Sequence, residues 1–202
     1  MRRAMVASQL RTTAVNDPRV VAAMGEVPRE RFVPDDVRGQ AYLDISLPIG
    51  SGRRMSSPMV VGRLLTEARV RPSDRVLVIG AMAGYTAAIL AKLAGRVTAL
   101  EEDAVLAGAP EGVEGVEGPL AAGWPANAPY DLIVFDGAVE EIPAAIVAQV
   151  ADGGRVAAPI VENGVTRLAI GRKAGDAFGM ISFADADAPI LPGFAKPRGF
   201  SF

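Results

Sequence analysis

Arg75-Val-Leu-Val-Ile79, running into Gly80-Ala-Met-Ala-Gly84-Tyr85, is the stretch that decides the fold. Four apolar residues in succession leave no wet face, so this strand must be covered on both sides, as in a parallel sheet. Gly80 to Gly84 reads as a tight turn, and Tyr85 to Leu93 as an apolar helix ended by Gly95. Val97-Thr-Ala-Leu100 is a second strand, running into Glu101-Glu102-Asp103. Working outward, Val113 to Glu117 gives a short third strand. Asp131-Leu-Ile-Val-Phe135 is a fourth, ending in Asp136-Gly137, and Pro143 to Val150 is a helix closed by Gly153-Gly154. Strands at Arg155–Ile160, Thr166–Gly171 and Met180–Phe183 complete the set. Strand, turn and helix in alternation predict an α/β protein with a doubly wound, mostly parallel, seven-stranded sheet and right-handed crossovers. The last strands follow one another without helices, which places an antiparallel hairpin at one edge.

Upstream, Met1, Met5, Val6 and Leu10 have helical spacing. Asp17-Pro18 starts a second helix, because Asp caps free amides and Pro has no amide to lose in the first turn. Val27-Pro28 ends it. Phe32 to Arg54 is rich in Pro, Gly and Asp and is expected to loop across the surface. Ser57-Pro58 repeats the cap signal and opens a helix through Val61, Leu64 and Leu65. The tail Leu191–Phe202 is expected to drape over the sheet through Phe194, Phe200 and Phe202.

Half of the 202 residues are hydrophobic and 22% are charged, enough apolar material for one packed domain. The chain has no cysteine and no histidine. Disulfides, thiol nucleophiles, zinc sites and imidazole acid–base chemistry are thereby excluded. The net charge of −2 conceals an asymmetry: residues 1–75 hold 13 Arg against 8 acids, and the remainder is correspondingly acidic. Those Arg residues are scattered, and only 5% of the chain is aromatic, which argues against nucleic-acid binding. No apolar run reaches the length of a secretory h-region or a membrane span, so no membrane partner is expected and the protein is read as cytoplasmic.

Four features converge on one rim, since ligands of open α/β sheets bind outside the carboxyl ends of the strands. The first is the turn Gly80-Ala81-Met82-Ala83-Gly84, spaced Gly-x-x-x-Gly and not as a dinucleotide fingerprint. A nicotinamide enzyme is thus disfavoured, whereas a methyl-donor site, which holds no pyrophosphate, tolerates the shorter form. The second is Glu101, 21 positions after Gly80, suited to accept both hydroxyl hydrogens of an adenosine ribose. Glu117 could meet an adenine amino group, and Asp136 ends the fourth strand.

Met5-Val-Ala-Ser-Gln-Leu-Arg11, Asp17-Pro-Arg-Val-Val-Ala-Ala-Met24, Val27-Pro-Arg-Glu-Arg-Phe-Val-Pro34, Ala41-Tyr42, Leu47-Pro-Ile-Gly50 and Ser56-Ser-Pro58 resemble, in order and spacing, the protein-L-isoaspartate O-methyltransferases. The likeness continues through Gly80–Tyr85, Glu117–Pro125 and Tyr130–Pro143 and fades over the last 40 residues or so. It implies a single domain of the S-adenosylmethionine-dependent methyltransferase type over residues 1–202, with 1–58 as a substrate cap and 59–202 as the α/β core. It further implies S-adenosylmethionine as cofactor, and methyl transfer to the α-carboxylate of isoaspartyl residues in damaged proteins or peptides. Ser56 then matches the serine beside the reacting carboxylate, Gly80, Ala81, Met82 and Gly84 the cofactor loop, Glu101 the ribose acid, and Glu117 an acid near the adenine. A monomer or small homo-oligomer is expected.

A carboxylate acceptor is already ionised at neutral pH, so the reaction needs alignment and dryness more than a general base. At Ser56 two roles stand open: orienting the acceptor carboxylate, or capping the helix that begins at Pro58. Three departures touch the cofactor pocket. Val78 stands where the family carries an acid, Met82 replaces a glycine, and only residues 102–112 link the second and third strands, which shortens the intervening helix to a turn. They motivate an alternative reading, an inactive relative with weak or no cofactor binding.

Overall fold

The computed structural model describes residues 1–103 and 109–196. Its centre is a seven-stranded sheet in the order β5-β4-β3-β6-β7-β8-β9. Here β3 is Arg75–Ile79, β4 Arg96–Glu101, β5 Val113–Glu117, β6 Tyr130–Phe135, β7 Val150–Glu162, β8 Val165–Ala174 and β9 Ala177–Asp185. Strands β3 to β7 pair in parallel, and β7-β8-β9 form the antiparallel edge. The doubly wound, mostly parallel sheet with a hairpin edge is as expected from sequence.

The apolar run at β3 is buried on both faces because side chains alternate sides. Val76 and Val78 enter the core shared with the N-terminal segments, and Leu77 and Ile79 enter the core with Leu100, Ile133 and Phe135. The chain before the sheet packs into the first of these cores. It comprises α1 (Arg2–Ala4), which continues through a π-helical and a 3-10 turn to Thr13, then α2 (Pro18–Glu26) and α3 (Pro58–Ala68). Asp17 caps α2, accepting from the Arg19 amide at 2.8 Å. Arg155 on β7 pins the end of α3 to the start of β3: it donates to the carbonyls of Ala68 and Arg69 and to Asp74 Oδ2 at 2.5 Å.

Two segments differ from expectation. Within the span Phe32–Arg54 the chain forms a hairpin, β1 (Leu47–Gly50) with β2 (Arg53–Met55), closed through Ser51 and Gly52 at positive φ. Pro48 sits exposed in this two-stranded piece, where its missing amide costs no sheet bond. The helix α5 is only Ala144–Val147, since Val150 already pairs with Tyr130 as the first residue of β7. Helix α4 (Tyr85–Leu90) follows the Gly80 turn. β4 and β5 are parallel neighbours, so the short crossover exists; whether it is cut to a turn lies, for residues 104–108, outside the described residues. So do Phe200 and Phe202 of the expected drape. Phe194 does pack on the sheet, edge-to-face on Phe135 with centroids 5.3 Å apart. Among the described residues no helix is long and apolar enough to cross a membrane.

Candidate active site

The carboxyl ends of β3, β4 and β6 meet at one rim. Beyond Ile79 the chain folds back sharply: the amides of Gly80 and Ala81 both donate to the Leu100 carbonyl, at 3.0 and 3.1 Å. Gly80, Met82 and Gly84 all have positive φ. For Met82 this is a strained backbone that glycine would adopt freely. The strain aims the Met82 amide at Glu101 Oε2, 2.9 Å away, and its side chain is buried in the core that holds Val78 and Tyr85. The thioether is packed among buried side chains, and the Met82 amide faces Glu101.

Glu101 is buried and fully engaged. Oε1 also accepts from the Glu102 amide at 2.9 Å, and the two guanidinium nitrogens of Arg53 span both oxygens at 2.9 and 3.3 Å. Arg53 arrives from the β1-β2 hairpin, 48 residues earlier. Leu191 of the C-terminal segment lies between the strand ends; a Cβ on Gly80 or on Gly137 would come within 2.7 Å of its side chain. Beside these residues runs an open hollow of about 400 Å³, bordered by Ser51, Arg53, Glu102 and Leu191. Glu117 lies opposite Glu101 in the β4-β5 register but is exposed, and among the described residues no hydrogen bond or ion pair joins it to the others.

A second group of polar side chains is sealed on the α4 side of the rim. Ser57, not Ser56, caps α3, accepting from the Val60 amide at 3.4 Å. Ser56 is thereby released: among the described residues its buried hydroxyl has no hydrogen-bond partner, and neither have Tyr85 OH, Thr86 Oγ1 and Arg29 Nη1. Arg29 fixes Ser56 in place by donating to its carbonyl at 2.5 Å and to Ala41 O at 2.8 Å, with its guanidinium 4.6 Å from the Tyr85 ring centre. Burial lowers the Arg29 pKa and raises that of Tyr85, each moderated by the other.

Asp136 completes this group at the end of β6, with 5% of its surface exposed. Burial pushes its carboxyl up to about 6, opposed by Thr86, Arg29, Ser56 and Arg53. The Thr86 and Ser56 hydroxyls lie close enough to act on it, yet neither closes a hydrogen bond of ordinary geometry. The rim thus brings together Ser56, the Gly80–Gly84 loop, Glu101 and Asp136, and leaves Glu117 at its margin. Arg29 and Arg53 were not singled out from the sequence. Each acts across more than ten positions, with no periodicity to mark it.

Comparison with known proteins settles the family. The family described as protein-L-isoaspartate(D-aspartate) O-methyltransferase matches residues 1–185. The chain belongs to that family. Proteins named protein-L-isoaspartate O-methyltransferase include one from Methanoregula boonei, 44% identical over 79% of this chain and 77% of that protein. Another, from a Synechococcus strain, is 41% identical over 80% of this chain and 70% of its own length. A third, from Methylorubrum populi, is 36% identical over 94% of both. A solved protein-L-isoaspartate O-methyltransferase superposes with a TM-score of 0.83 at 23% identity, over 96% of this chain and 66% of that one. A Plasmodium falciparum protein assigned to the same activity, solved with S-adenosyl-L-homocysteine, gives 0.80 at 17% identity, over 94% of this chain and 97% of that one. At these identities the two structures speak for the fold. The family match stops at residue 185, before Leu191 and Phe194.

Proposed function

We infer that this chain is an S-adenosylmethionine-dependent carboxyl methyltransferase acting on L-isoaspartyl residues of damaged proteins and peptides. The observation that carries the reading is the buried, unpartnered hydroxyl of Ser56, held by Arg29 and relieved of capping by Ser57. A hydroxyl so placed can hold one oxygen of an acceptor carboxylate while the other attacks.

The residues at the rim fit the methyl donor. Glu101 offers both oxygens to two parallel donors, the pattern that Arg53 now satisfies and that two ribose hydroxyls would reuse. The amides of Met82 and Glu102 hold that carboxylate in place. Gly80, Ala81, Met82 and Gly84 give the loop on which the donor lies, and Glu117 is the acid left at the exposed margin for the adenine amine. When bound, S-adenosylmethionine supplies a methyl group activated by its sulfonium, so that an O–CH3 bond forms as the S–CH3 bond breaks and the electron pair stays on sulfur. The protein contributes alignment and the exclusion of water. An ionised acceptor needs no base, in keeping with a chain that has no histidine. The protein works in the cytoplasm as a monomer or small homo-oligomer, without a nucleic-acid or membrane partner.

One observation favours the second reading, an inactive relative: Arg53 and Leu191 both occupy positions a ligand would need. Methyl incorporation into an isoaspartyl peptide, lost in Ser56→Ala, supports the enzyme. Absence of any calorimetric heat with millimolar S-adenosylhomocysteine supports the inactive relative.

A further inference from the structure

We propose that Asp136 recognises the α-ammonium group of the methyl donor's amino-acid end, the role for which β3 offers only Val78. The inference rests on the methyltransferase reading and assigns a residue to it. An ammonium group leaving water for a sheltered cleft requires an anion or a full set of acceptors. The carboxylates of the rim differ sharply in what they have left to give. Glu101 is committed to two amides and a pair of parallel donors, and Glu102 and Glu117 are exposed. Asp136 is buried; Arg29, Arg53, Ser56 and Thr86 face its carboxylate, but the Ser56 and Thr86 hydroxyls close no hydrogen bond of ordinary geometry among the described residues.

Its position suits the task. The Asp136 amide donates to the Ile79 carbonyl at 3.0 Å, so the residue stands directly beside the point where the Gly80 loop leaves β3. Gly80 and Gly137, on the two strand ends, are covered by the flexible Leu191 side chain, with Arg53 Nη2 also against Gly80 and the Pro189 carbonyl also against Gly137. Val78, buried in the core, presents no charge there.

The groups facing Asp136 are Arg29 from the turn after α2, Arg53 from β2, Ser56 ahead of α3, and Tyr85 and Thr86 from α4. Burial holds its carboxyl at about 6. An ammonium partner stabilises the ionised form, so ligand binding near pH 6 must release protons from this residue.

The test is calorimetry of the full chain with two ligands: S-adenosylhomocysteine, and its analogue with the α-amino group replaced by hydrogen. The wild type is expected to prefer the amino compound by roughly tenfold or more, the scale of a charge-assisted hydrogen bond. Asp136→Asn should bind both alike while keeping the wild-type affinity for the desamino compound, which also shows that it folds. In buffers of different ionisation enthalpy at pH 6, the wild type should release protons on binding the amino compound and Asp136→Asn should not. A wild-type preference retained in Asp136→Asn overturns the proposal, as does an equal loss for both ligands. Failure of the wild type to bind either compound overturns the methyltransferase reading, and this inference with it.

Discussion

The two guanidinium nitrogens of Arg53 rest on the two carboxylate oxygens of Glu101, at 2.9 and 3.3 Å. The contact is nearly dry, with the side chains 10% and 6% exposed. On the proposed reading of Glu101 as the ribose acid, Arg53 and the donor compete for one carboxylate. Arg53→Ala should cost the free protein on the order of 1–3 kcal/mol, the range for a hydrogen bond to a charged group. It should also bind S-adenosylhomocysteine more tightly, by severalfold, because nothing has to be displaced. Thermal denaturation with and without the ligand checks both: the variant melts lower alone and gains more from ligand than the wild type does. A smaller gain would mean that Arg53 touches the ligand instead of standing in for it.

Asp136 sets a pH dependence with a definite sign. Its carboxyl is raised by burial from 3.8 to about 6, so the folded protein holds that proton more tightly than the unfolded chain. This group consequently favours the folded state at low pH, and that contribution is lost as pH rises from about 4 through about 6. Above that window the ionised carboxylate is a standing cost of up to about 3 kcal/mol. Asp136→Asn removes it, and should be more stable than the wild type at pH 7.5 and no more stable at pH 4. Urea denaturation at the two pH values decides the point.

Adjacent serines separate chemistry from stability. Ser57→Ala removes the cap of α3 and should lower stability by about 1 kcal/mol while sparing the turnover of folded molecules. Ser56→Ala deletes a buried hydroxyl with no partner, so stability should stay level or improve. Methyl transfer to an isoaspartyl peptide should drop by roughly 100-fold, as a misplaced acceptor implies. Equal effects of the two substitutions on turnover would remove Ser56 from the site.

The parts of this molecule legible in its sequence are those written in local pattern. Val76 to Ile79 announced a strand covered on both faces, Asp17-Pro18 and Ser57-Pro58 announced helix starts, and the family likeness pointed to Ser56, Gly80 and Glu101, which the fold brings to one rim. What escaped is non-local. Leu47–Gly50 and Arg53–Met55 look like loop because four- and three-residue strands hold too few positions to show alternation. Nothing near Arg53 in sequence hints that its partner lies at Glu101, and nothing near Arg29 marks it as the clamp on Ser56. The choice between Ser56 and Ser57 as cap needed the geometry itself, since both precede Pro58. Met82 is a case the sequence leaves half told: its identity marks a departure in the loop, but only the structure shows its positive φ and its side chain packed with Val78 and Tyr85.

Leu191 gives the last expectation. Its side chain lies over Gly80 and Gly137, and its segment is held independently of it. The Leu191 amide donates to Ala138 O and the Glu140 amide to Phe194 O, while Phe194 packs on Phe135. Leu191→Ala should therefore leave the tail docked while opening the space between the two strand ends. As a buried leucine it should cost about 2–4 kcal/mol of stability in the free protein. If the donor's amino-acid end takes that space, S-adenosylhomocysteine should return part of the loss, and the variant should bind it more tightly than the wild type. Leu191→Met, which refills the volume with a flexible chain, should restore stability to within about 1.5 kcal/mol and bring affinity back toward the wild type. Titrations of the three proteins at one pH provide the comparison. An affinity that falls in Leu191→Ala and recovers in Leu191→Met would instead make Leu191 a wall of the ligand pocket.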